Sequence, residues 1–558
     1  MRDQASSDGL KALAVAGTNV VVLGWDLAAA QILAEKVLGF AIGRKRATDE
    51  EFRWMTGLKT FESVEPHPAP GVPVTSRNHP FQSFQWADYS VSPGQAYTYQ
   101  IVARLAPAAA LTDGPSVTLT VTTERVDAGE HAIFFNRGAI ASQEYARRFE
   151  NKRPDVVGQA AFDWLSRGLI EGLETFIGTA GPGSELCGAF FEFKNVRIYD
   201  ALKAADARGA AVKVLFDADS QNEGNLAALE GQGMDGFVQP REHSAGFAHN
   251  KFLVLRDGGV SKAVWMGSTN LSQNGIFGHS NNAHLVRNPT IAEQYFQYWQ
   301  ILVDDKTLKP TSTAVDALGA VPPAPFTNGL RTIFSPRSDL ASLDFYAELA
   351  GNAKRALFMT FAFGMNDRFV TVYDQEDEVL RFALMEKKGN GAQFKQQAAD
   401  VDRVRRHRNT VVSVGNRVAL NNFDRWLEEI DRLSDEQHVL FVHTKYMVID
   451  PLGDDPIIVI GSANFSAASS NKNDENMLMI RGNNAVADVY LGEFMRLFSH
   501  YAFRESLQFK ENMTPAGAVK RKFLAETPDW IDGGGNPNAS YFAPGTDRTL
   551  RRLYFSGQ

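Results

Sequence analysis

The sequence predicts an α/β protein of two similar, pseudo-symmetric lobes, each a β-sheet flanked by helices, preceded by a small all-β sandwich. Three observations predict it. Residues 1–125 carry short β-rich runs between turn signals. From residue 126 onward apolar strands alternate with helical segments. A block of residues in the first half recurs in the second.

The length of 558 residues exceeds what one core can organise, and the expected division is 1–125, 126–322 and 323–558. Hydrophobic residues make up 44% and charged residues 22%, the balance of an ordinary globular protein. A net charge of −8 excludes a whole-surface basic coat for gripping nucleic acid, though not a local basic cleft. The lone cysteine, Cys187, sits in the apolar run Leu186 to Phe191 and reads as a buried inert thiol. Met1 to Asp8 has no apolar core and is no signal peptide, and no run approaches the length of a membrane span. Action on a membrane would therefore be by docking from outside. The compartment stays open between cytoplasm and export by a non-classical route.

In the first unit, strands are expected at Val20–Trp25, Leu38–Ile42, Phe84–Trp86, Tyr97–Ala103 and Val117–Thr122. Ala28 to Lys36 reads equally as a helix. An early tryptophan strand and a late Tyr-x-Tyr strand resemble a fibronectin type III module, which binds a partner or only scaffolds the next domain.

In the first half, Gly188–Phe193 and Ala211–Asp217 read as buried strands around a helix from Ile198 to Gly209, with Lys251–Leu255 and Ala263–Gly267 as two more. The second half repeats the order with strands at Ala356–Phe363, Asn409–Val414, Lys445–Ile449 and Ile457–Gly461, and with a helix expected around Glu378 to Lys388. Both halves open alike, Ile133 to Gly138 matching Ile333 to Ser338. Pro310 to Asn328 reads as the linker. Residues 389–408 read as a polar insertion whose Arg403, Arg405, Arg406 and Arg408 form either a solvated face or an anion-attracting cleft mouth. The tail after Glu511 is expected to wrap the second lobe, anchored by Trp530, Tyr541 and Phe542.

The recurring block carries the chemistry. His249-Asn250-Lys251 precedes Gly267-Ser268-Thr269-Asn270, and His443-Thr444-Lys445 precedes Asp450 and Gly461-Ser462-Ala463-Asn464. On a strand, residues two apart share a face, so each histidine projects with its lysine. Cleaving a phosphodiester needs cationic and amide donors on the nonbridging oxygens, a nucleophile in line and an acid for the leaving oxygen. Two copies supply two histidines for the last two tasks. Composition alone yields somewhat less than about one H-x-K match by chance. Two copies in the same register with Gly-Ser-x-Asn behind each are far more specific. His243, His279, His284, His407 and His438 are expected at the rim or surface.

These residues resemble the phospholipase D superfamily, whose pattern is H-x-K-x4-D with Gly-Ser-x-Asn downstream, over about residues 130–510. The resemblance implies that His249, Lys251, Asn270, His443, Lys445 and Asn464 are catalytic. It implies that Lys251, Ser268, Asn270, Lys445, Ser462 and Asn464 bind the phosphate and that Asp450 supports the local fold. The first copy departs: Arg256 stands in place of the aspartate, with Asp257 one residue late. The family also places an acid after each motif, orienting the histidine of the opposite lobe. Glu475 fits in the second copy, whereas the first has Asn281 and Asn282. Crosswise pairing then gives His249 an acid and His443 a neutral partner, which agrees with His249 as the nucleophile of a phosphohistidine mechanism. No metal or cofactor is expected.

The resemblance implies a phospholipid or another phosphodiester as substrate, with hydrolysis or transfer to an alcohol. Two motifs in one large acidic chain favour a phospholipase-like hydrolase. A metal-independent nuclease is the alternative, and a phosphate-binding protein with a decayed site is a third reading. Peripheral membrane contact goes with the first; nucleic acid is the less favoured partner.

Overall fold

The computed structural model describes residues 1–69, 72–138, 142–386, 394–415, 442–511, 523–536 and 539–558. At the N-terminus two four-stranded antiparallel sheets face each other. One runs Arg2–Ser7, Leu10–Ala16, Val21–Asp26, Gln85–Asp88, and the other Thr112–Thr122, Ala96–Leu105, Val37–Arg46, Arg53–Trp54. Alternation does the folding here: Val117, Leu119 and Val121 point inward while Thr118, Thr120 and Thr122 face solvent. Trp25, Phe40, Tyr99 and Leu119 fill the space between the sheets. The ambiguous stretch after Asp26 is a helix, Ala29–Glu35, ended by Lys36 in the left-handed conformation.

Two seven-stranded mixed sheets follow, and they correspond strand for strand. The first orders His131–Phe135, Asn282–Val286, Val260–Gly267, Lys251–Asp257, Ser184–Phe190, Ala211–Asp217 and Val238–Arg241. The second orders Gly329–Ser335, Glu475–Arg481, Ile457–Gly461, Tyr446–Ile449, Ala356–Phe361, Leu380–Met385 and Thr410–Val414. The last three strands of each sheet are mutually parallel; the rest pair antiparallel. The helix Asn484–Glu511 carries Tyr490, whose ring meets Phe135 of the first sheet and Tyr446 of the second. Tyr295 and Tyr298, on the helix Pro289–Val303, hydrogen-bond Asn476 and the Ser335 carbonyl of the second lobe. One apolar core consequently runs through both lobes.

Four expectations need correction. Residues 378–388 hold the strand Leu380–Met385, not a helix; a buried parallel strand is apolar throughout and its period is mute. Its charged member, Arg381, is fully buried against Asp377 at 2.6 Å, which hides it from a pattern search. The polar insertion contains the helix Phe394–Val404. The linker begins with the helix Leu308–Leu318, because Pro310 falls in the first turn, where its missing N–H costs nothing. The tail packs on the N-terminal sandwich: Trp530 stacks on Phe84 and donates to the Val37 carbonyl, Tyr541 and Phe542 flank Phe84, and Phe523–Leu524 pairs with Thr60–Phe61. The last helix, Asp547–Phe555, returns to the second lobe, where Phe555 meets Phe358 and Phe382. Among the described residues no helix is long and apolar enough to cross a membrane.

Candidate functional site

Each H-x-K segment lies at the start of a central strand, where the chain leaves a loop. Carboxylates at the ends of strands two places away in the same sheet hold those loops. Asp217 Oδ2 accepts the Ala248 N–H at 2.8 Å, and Glu386 Oε2 accepts the Val442 N–H at 2.9 Å. The residue before each motif histidine is thus pinned by an acid from the same sheet. The glycine of each Gly-Ser-x-Asn is required by close approach. A Cβ on Gly267 would stand 2.4 Å from the Asn282 carbonyl oxygen, and one on Gly461 2.1 Å from that of Asn476.

The two lobes exchange partners. His249 Nδ1 lies 2.9 Å from Glu475 Oε2, and His443 Nδ1 lies 2.8 Å from Asn281 Oδ1. An amide oxygen and a carboxylate both accept, so each Nδ1 carries the proton and Nε2 is left for chemistry. Backbone bonds reinforce the crossing: the His443 N–H donates to the Ser280 carbonyl, and the Asp474 N–H to that of Phe247. Asn476 Nδ2 donates to Asn250 Oδ1, and Asn250 Nδ2 to the Tyr298 hydroxyl.

The lysines and amides fall into place beside them. Lys251 Nζ and Lys445 Nζ each donate to the carbonyl of their own motif histidine at 2.6 Å, so the ammonium groups stay close to the imidazoles. Asn270 is buried and Asn464 half-buried, and their Oδ1 atoms, both shut off from solvent, have no partner among the described residues. The serines differ from expectation. Ser268 Oγ is 2.8 Å from Asn281 Oδ1 and 2.9 Å from Asn282 Oδ1, and Ser462 Oγ accepts the Asn476 N–H at 3.0 Å. Both hydroxyls are fully buried and fix the strand that carries the partner of the opposite histidine.

Burial sets the charge states. It pushes His249 down to about 4 against the opposing pull of Glu475, with Lys251 helping to lower it. It pushes Lys251 down to about 7, and places His443 and Lys445 well below their ordinary ranges. Lys445, His279, Lys251 and His249 add to the effect at His443. Burial would raise Glu475, but His249 and Lys251 outweigh it and keep the carboxyl ionised. A free site short of protons is one an anionic ligand would fill with them.

Asp450 accepts three backbone N–H groups, from Lys354, Arg355 and Ala356, at 2.7–2.9 Å, tying the strand entrance at Ala356 to the motif strand. The first lobe uses other means. Arg256 pairs with Glu185 at 2.8 Å and lies over the Phe296 ring at 3.7 Å, while Asp257 reaches only Ser184 Oγ at 3.5 Å. A register shift does occur there, but the extra residue is on the facing strand, between Ser261 and Ala263. Cys187 is buried, with burial pushing its thiol up to about 12.

Of the other histidines, His243 is exposed against Asp305, and His407 bridges Asp374 and Glu376. His438 lies outside the described residues. His284 is not a surface group, whereas His279 is half-buried at the rim, with both ring nitrogens shut off from solvent. His284 is fully buried and joins His131 to the site through an unbroken series of contacts. His131 Nδ1 meets His284 Nε2 at 2.9 Å, His284 Nδ1 meets the Tyr490 hydroxyl at 3.3 Å, and Asn282 Nδ2 donates to that hydroxyl at 3.2 Å. From Asn282 the series passes through Ser268 and Asn281 to His443. His279 has its ring centroid 5.7 Å from that of His443. No spacing rule marks either residue; the π-helical turn Asn274–Gly278 that sets His279 in place is invisible in the sequence.

Phe191 stands edge-on to His249 at 4.8 Å and to Phe247 at 5.7 Å, and Phe247 is 44% exposed, so an apolar lip leads to the first histidine. The arginine cluster is partly neutralised: Arg403 pairs with Asp374 and Asp400, and Arg405 with Glu505.

A family model described as "Cardiolipin synthase, PLD-like domain" matches residues 174–302 and 398–498, which contain both motifs, Asn281 and Glu475. No curated protein matches the chain. Among solved structures, the phosphatidylserine synthase of Haemophilus influenzae Rd KW20 is similar at 12% identity, covering 60% of this chain and 85% of its own, with a TM-score of 0.41. The phospholipase D family member NUC from Salmonella typhimurium is 16% identical over 31% of this chain and 94% of its own, at a TM-score of 0.23. The polyphosphate kinase of Porphyromonas gingivalis is 13% identical over 57% of this chain, at a TM-score of 0.35, and this chain spans 46% of that kinase's length.

Proposed function

We propose that the chain, which matches a PLD-like family model over both motif segments, is a phospholipase D superfamily member that cleaves a phosphodiester through a phosphohistidine on His249. The observation that carries this reading is the crossed pairing of His249 with Glu475 and of His443 with Asn281, which orients two imidazoles from opposite lobes. His249 Nε2 attacks phosphorus while protonated His443 gives its proton to the leaving alcohol. His443, now neutral, takes a proton from water, whose oxygen attacks phosphorus and frees His249; an alcohol in place of water gives transfer. Lys251, Lys445, Asn270 and Asn464 hold the nonbridging oxygens, with Ser268 and Ser462 bracing the partners behind them. Glu475 fixes the His249 tautomer and stabilises positive charge as the P–N bond forms.

A phospholipid headgroup ester is the substrate class we favour, reached by peripheral contact with a membrane. The apolar lip of Phe191 and Phe247 and the ion-paired state of Arg403 and Arg405 support it. A metal-independent nuclease is the second reading, for which the exposed Phe247 ring would stack on a base. A phosphate-binding protein with a decayed site is the third. We take residues 1–125 as a fibronectin type III-like module, supported by its two facing sheets, with lobes at 126–322 and 323–558. The deciding experiment incubates the protein with phosphatidylcholine vesicles, single-stranded DNA and bis(p-nitrophenyl) phosphate, alongside His249→Ala and His443→Ala. Acid-labile phosphate on His249 and loss of turnover in both variants are expected. Full activity in either variant would overturn the mechanism, and DNA cleavage without lipid turnover would reverse the substrate order.

A further inference from the structure

His279 has no task in the mechanism above, yet the fold holds it firmly. Its N–H donates to the Asn274 carbonyl at 2.8 Å, and its carbonyl accepts Asn136 Nδ2 at 2.7 Å. A Cβ on Gly138 would come within 2.5 Å of that carbonyl oxygen. The repeated opening that contains Asn136 and Gly138 therefore serves, in the first lobe, to seat this residue.

Its ring stands beside His443, 5.7 Å between centroids, and close enough to feel the charge of Lys445. Both ring nitrogens are shut off from solvent, and neither has a hydrogen-bond partner among the described residues. Buried imidazoles are ordinarily engaged through at least one nitrogen. The matching position of the second lobe, two residues before Glu475 as His279 is before Asn281, is Asn473. Asn473 is satisfied at both ends: Oδ1 accepts the Phe247 N–H at 3.2 Å, and Nδ2 is 3.3 Å from Glu475 Oε1. Only on the His443 side has a committed amide been replaced by a ring with nothing to hold.

We propose that His279 is a substrate-contacting residue that selects leaving alcohols bearing a hydroxyl or amine. Burial, with Lys445 adding to it, pushes its pKa down to about 3, so the ring is neutral and offers one N–H and one lone pair. A phosphodiester anion accepts the N–H but has no hydrogen for the lone pair. The second nitrogen is satisfied only by a donor on the leaving group, which glycerol and ethanolamine possess and choline lacks. A site built for such a donor disfavours a ligand without it, because a buried acceptor is then left unpaired.

This inference rests on the phosphodiesterase reading, and the test separates the two. Initial rates are measured on vesicles of phosphatidylglycerol and of phosphatidylcholine, and on soluble glycerophosphoglycerol, for the full-length protein and for His279→Phe, His279→Ala and His279→Asn. Absence of product from every substrate with the unsubstituted protein would overturn the underlying reading, and this inference with it. With turnover, kcat/KM is expected to favour phosphatidylglycerol over phosphatidylcholine by about 10-fold or more. His279→Phe and His279→Ala should bring that ratio near 1, chiefly through KM, while His279→Asn retains part of it because an amide still donates and accepts. Glycerophosphoglycerol should show the same loss, which places the effect at the leaving group rather than at the membrane. A ratio unchanged in whichever of His279→Phe and His279→Ala folds would overturn the inference and leave the mechanism standing.

Discussion

His443 donates its Nδ1 proton to Asn281 across the two lobes at 2.8 Å, and this bond is neutral where the sequence repeat would place a charge. The matching bond on the other side, His249 to Glu475, ends on a carboxylate. An imidazolium is stabilised by a carboxylate and less so by an amide, so His443 gives up its proton more readily than His249 would. That suits the leaving-group acid of the proposed mechanism, in which the two half-sites take different tasks within a nearly symmetric frame.

Asn281→Asp should erase this difference. A carboxylate at Asn281 raises the pKa of His443 by about 1–3 units, which moves the alkaline limb of the kcat profile to higher pH. The new charge is buried, so the variant should also be less stable. A pH–rate profile with an unmoved limb in folded protein would show that Asn281 does not tune His443.

Glu475→Gln keeps an acceptor for His249 Nδ1 but removes the charge. In the proposed mechanism positive charge develops on that ring as the P–N bond forms, so kcat should fall by up to about 10⁴-fold, the drop seen when a triad carboxylate is made neutral. Rapid-quench measurement of phosphorylated enzyme should show slower formation. Unchanged formation would place the charge requirement elsewhere.

How far the sequence could be read follows from which residues speak through spacing. H-x-K and Gly-Ser-x-Asn are short and recur in register, so they single out His249, Lys251, His443 and Lys445, while the crossed partners are implied only by the family resemblance those motifs carry. Arg381 misled because its ion-pair partner, Asp377, stands four residues away, the spacing of a helical pair, although the segment is a buried strand. Trp530 and Tyr541 declared themselves as anchors, but an aromatic residue in a loop carries no address, and theirs is Phe84 of the N-terminal sandwich. His279 and His284 are single histidines whose surroundings come from Asn136, Tyr490 and His131, all more than a hundred residues away in the chain. Long-range contact made them, and no local pattern could announce it.

The rate should depend on pH in a way the buried histidines dictate. The proposed mechanism needs His249 neutral and His443 protonated, yet burial holds His249 near 4 and His443 well below its ordinary range. Burial favours the neutral form of both rings in the free enzyme, so kcat/KM should decline as pH rises out of the acid range. A bound phosphodiester anion favours the protonated forms of His443, Lys251 and Lys445, so the kcat profile should be displaced to higher pH by about 1 unit or more. Initial rates on bis(p-nitrophenyl) phosphate across this range check both limbs. A kcat/KM that climbs steadily from acid to pH 8 would exclude His443 as the acid.

Stability should fall on acidification for the same reason. The folded-state pKa values of His249, His279, His284 and His443 all lie below the ordinary 6.5, so the unfolded chain binds protons first as pH drops. Their contribution is intact above 6.5 and is lost as pH falls toward the folded values, about 4 for His249 and about 3 for His279. One such shift of His249 corresponds to ~3 kcal/mol. Urea unfolding at pH 7 and pH 5 should therefore show a lower midpoint in acid, and the difference should shrink in His284→Gln. Equal midpoints would mean that these histidines are not buried neutral.

Asp450 and Arg256 occupy matching places, and the difference between them can be measured as stability. Asp450→Ala leaves the N–H groups of Lys354, Arg355 and Ala356 without their shared acceptor. Two of the three donors are near solvent and can turn to water, so the expected loss is ~1–3 kcal/mol rather than three full bonds. Arg256→Ala removes an ion pair that is partly screened, together with the contact over Phe296, and should cost less, ~1 kcal/mol. Neither side chain points its charge at the motif histidines, so kcat per folded molecule should hold within a fewfold in both variants. Chemical unfolding of each variant, set beside active-site titration by phosphohistidine trapping, separates the two quantities. A large fall in kcat in fully folded Asp450→Ala would show that the carboxylate acts on the chemistry and not through the entrance of the Ala356 strand.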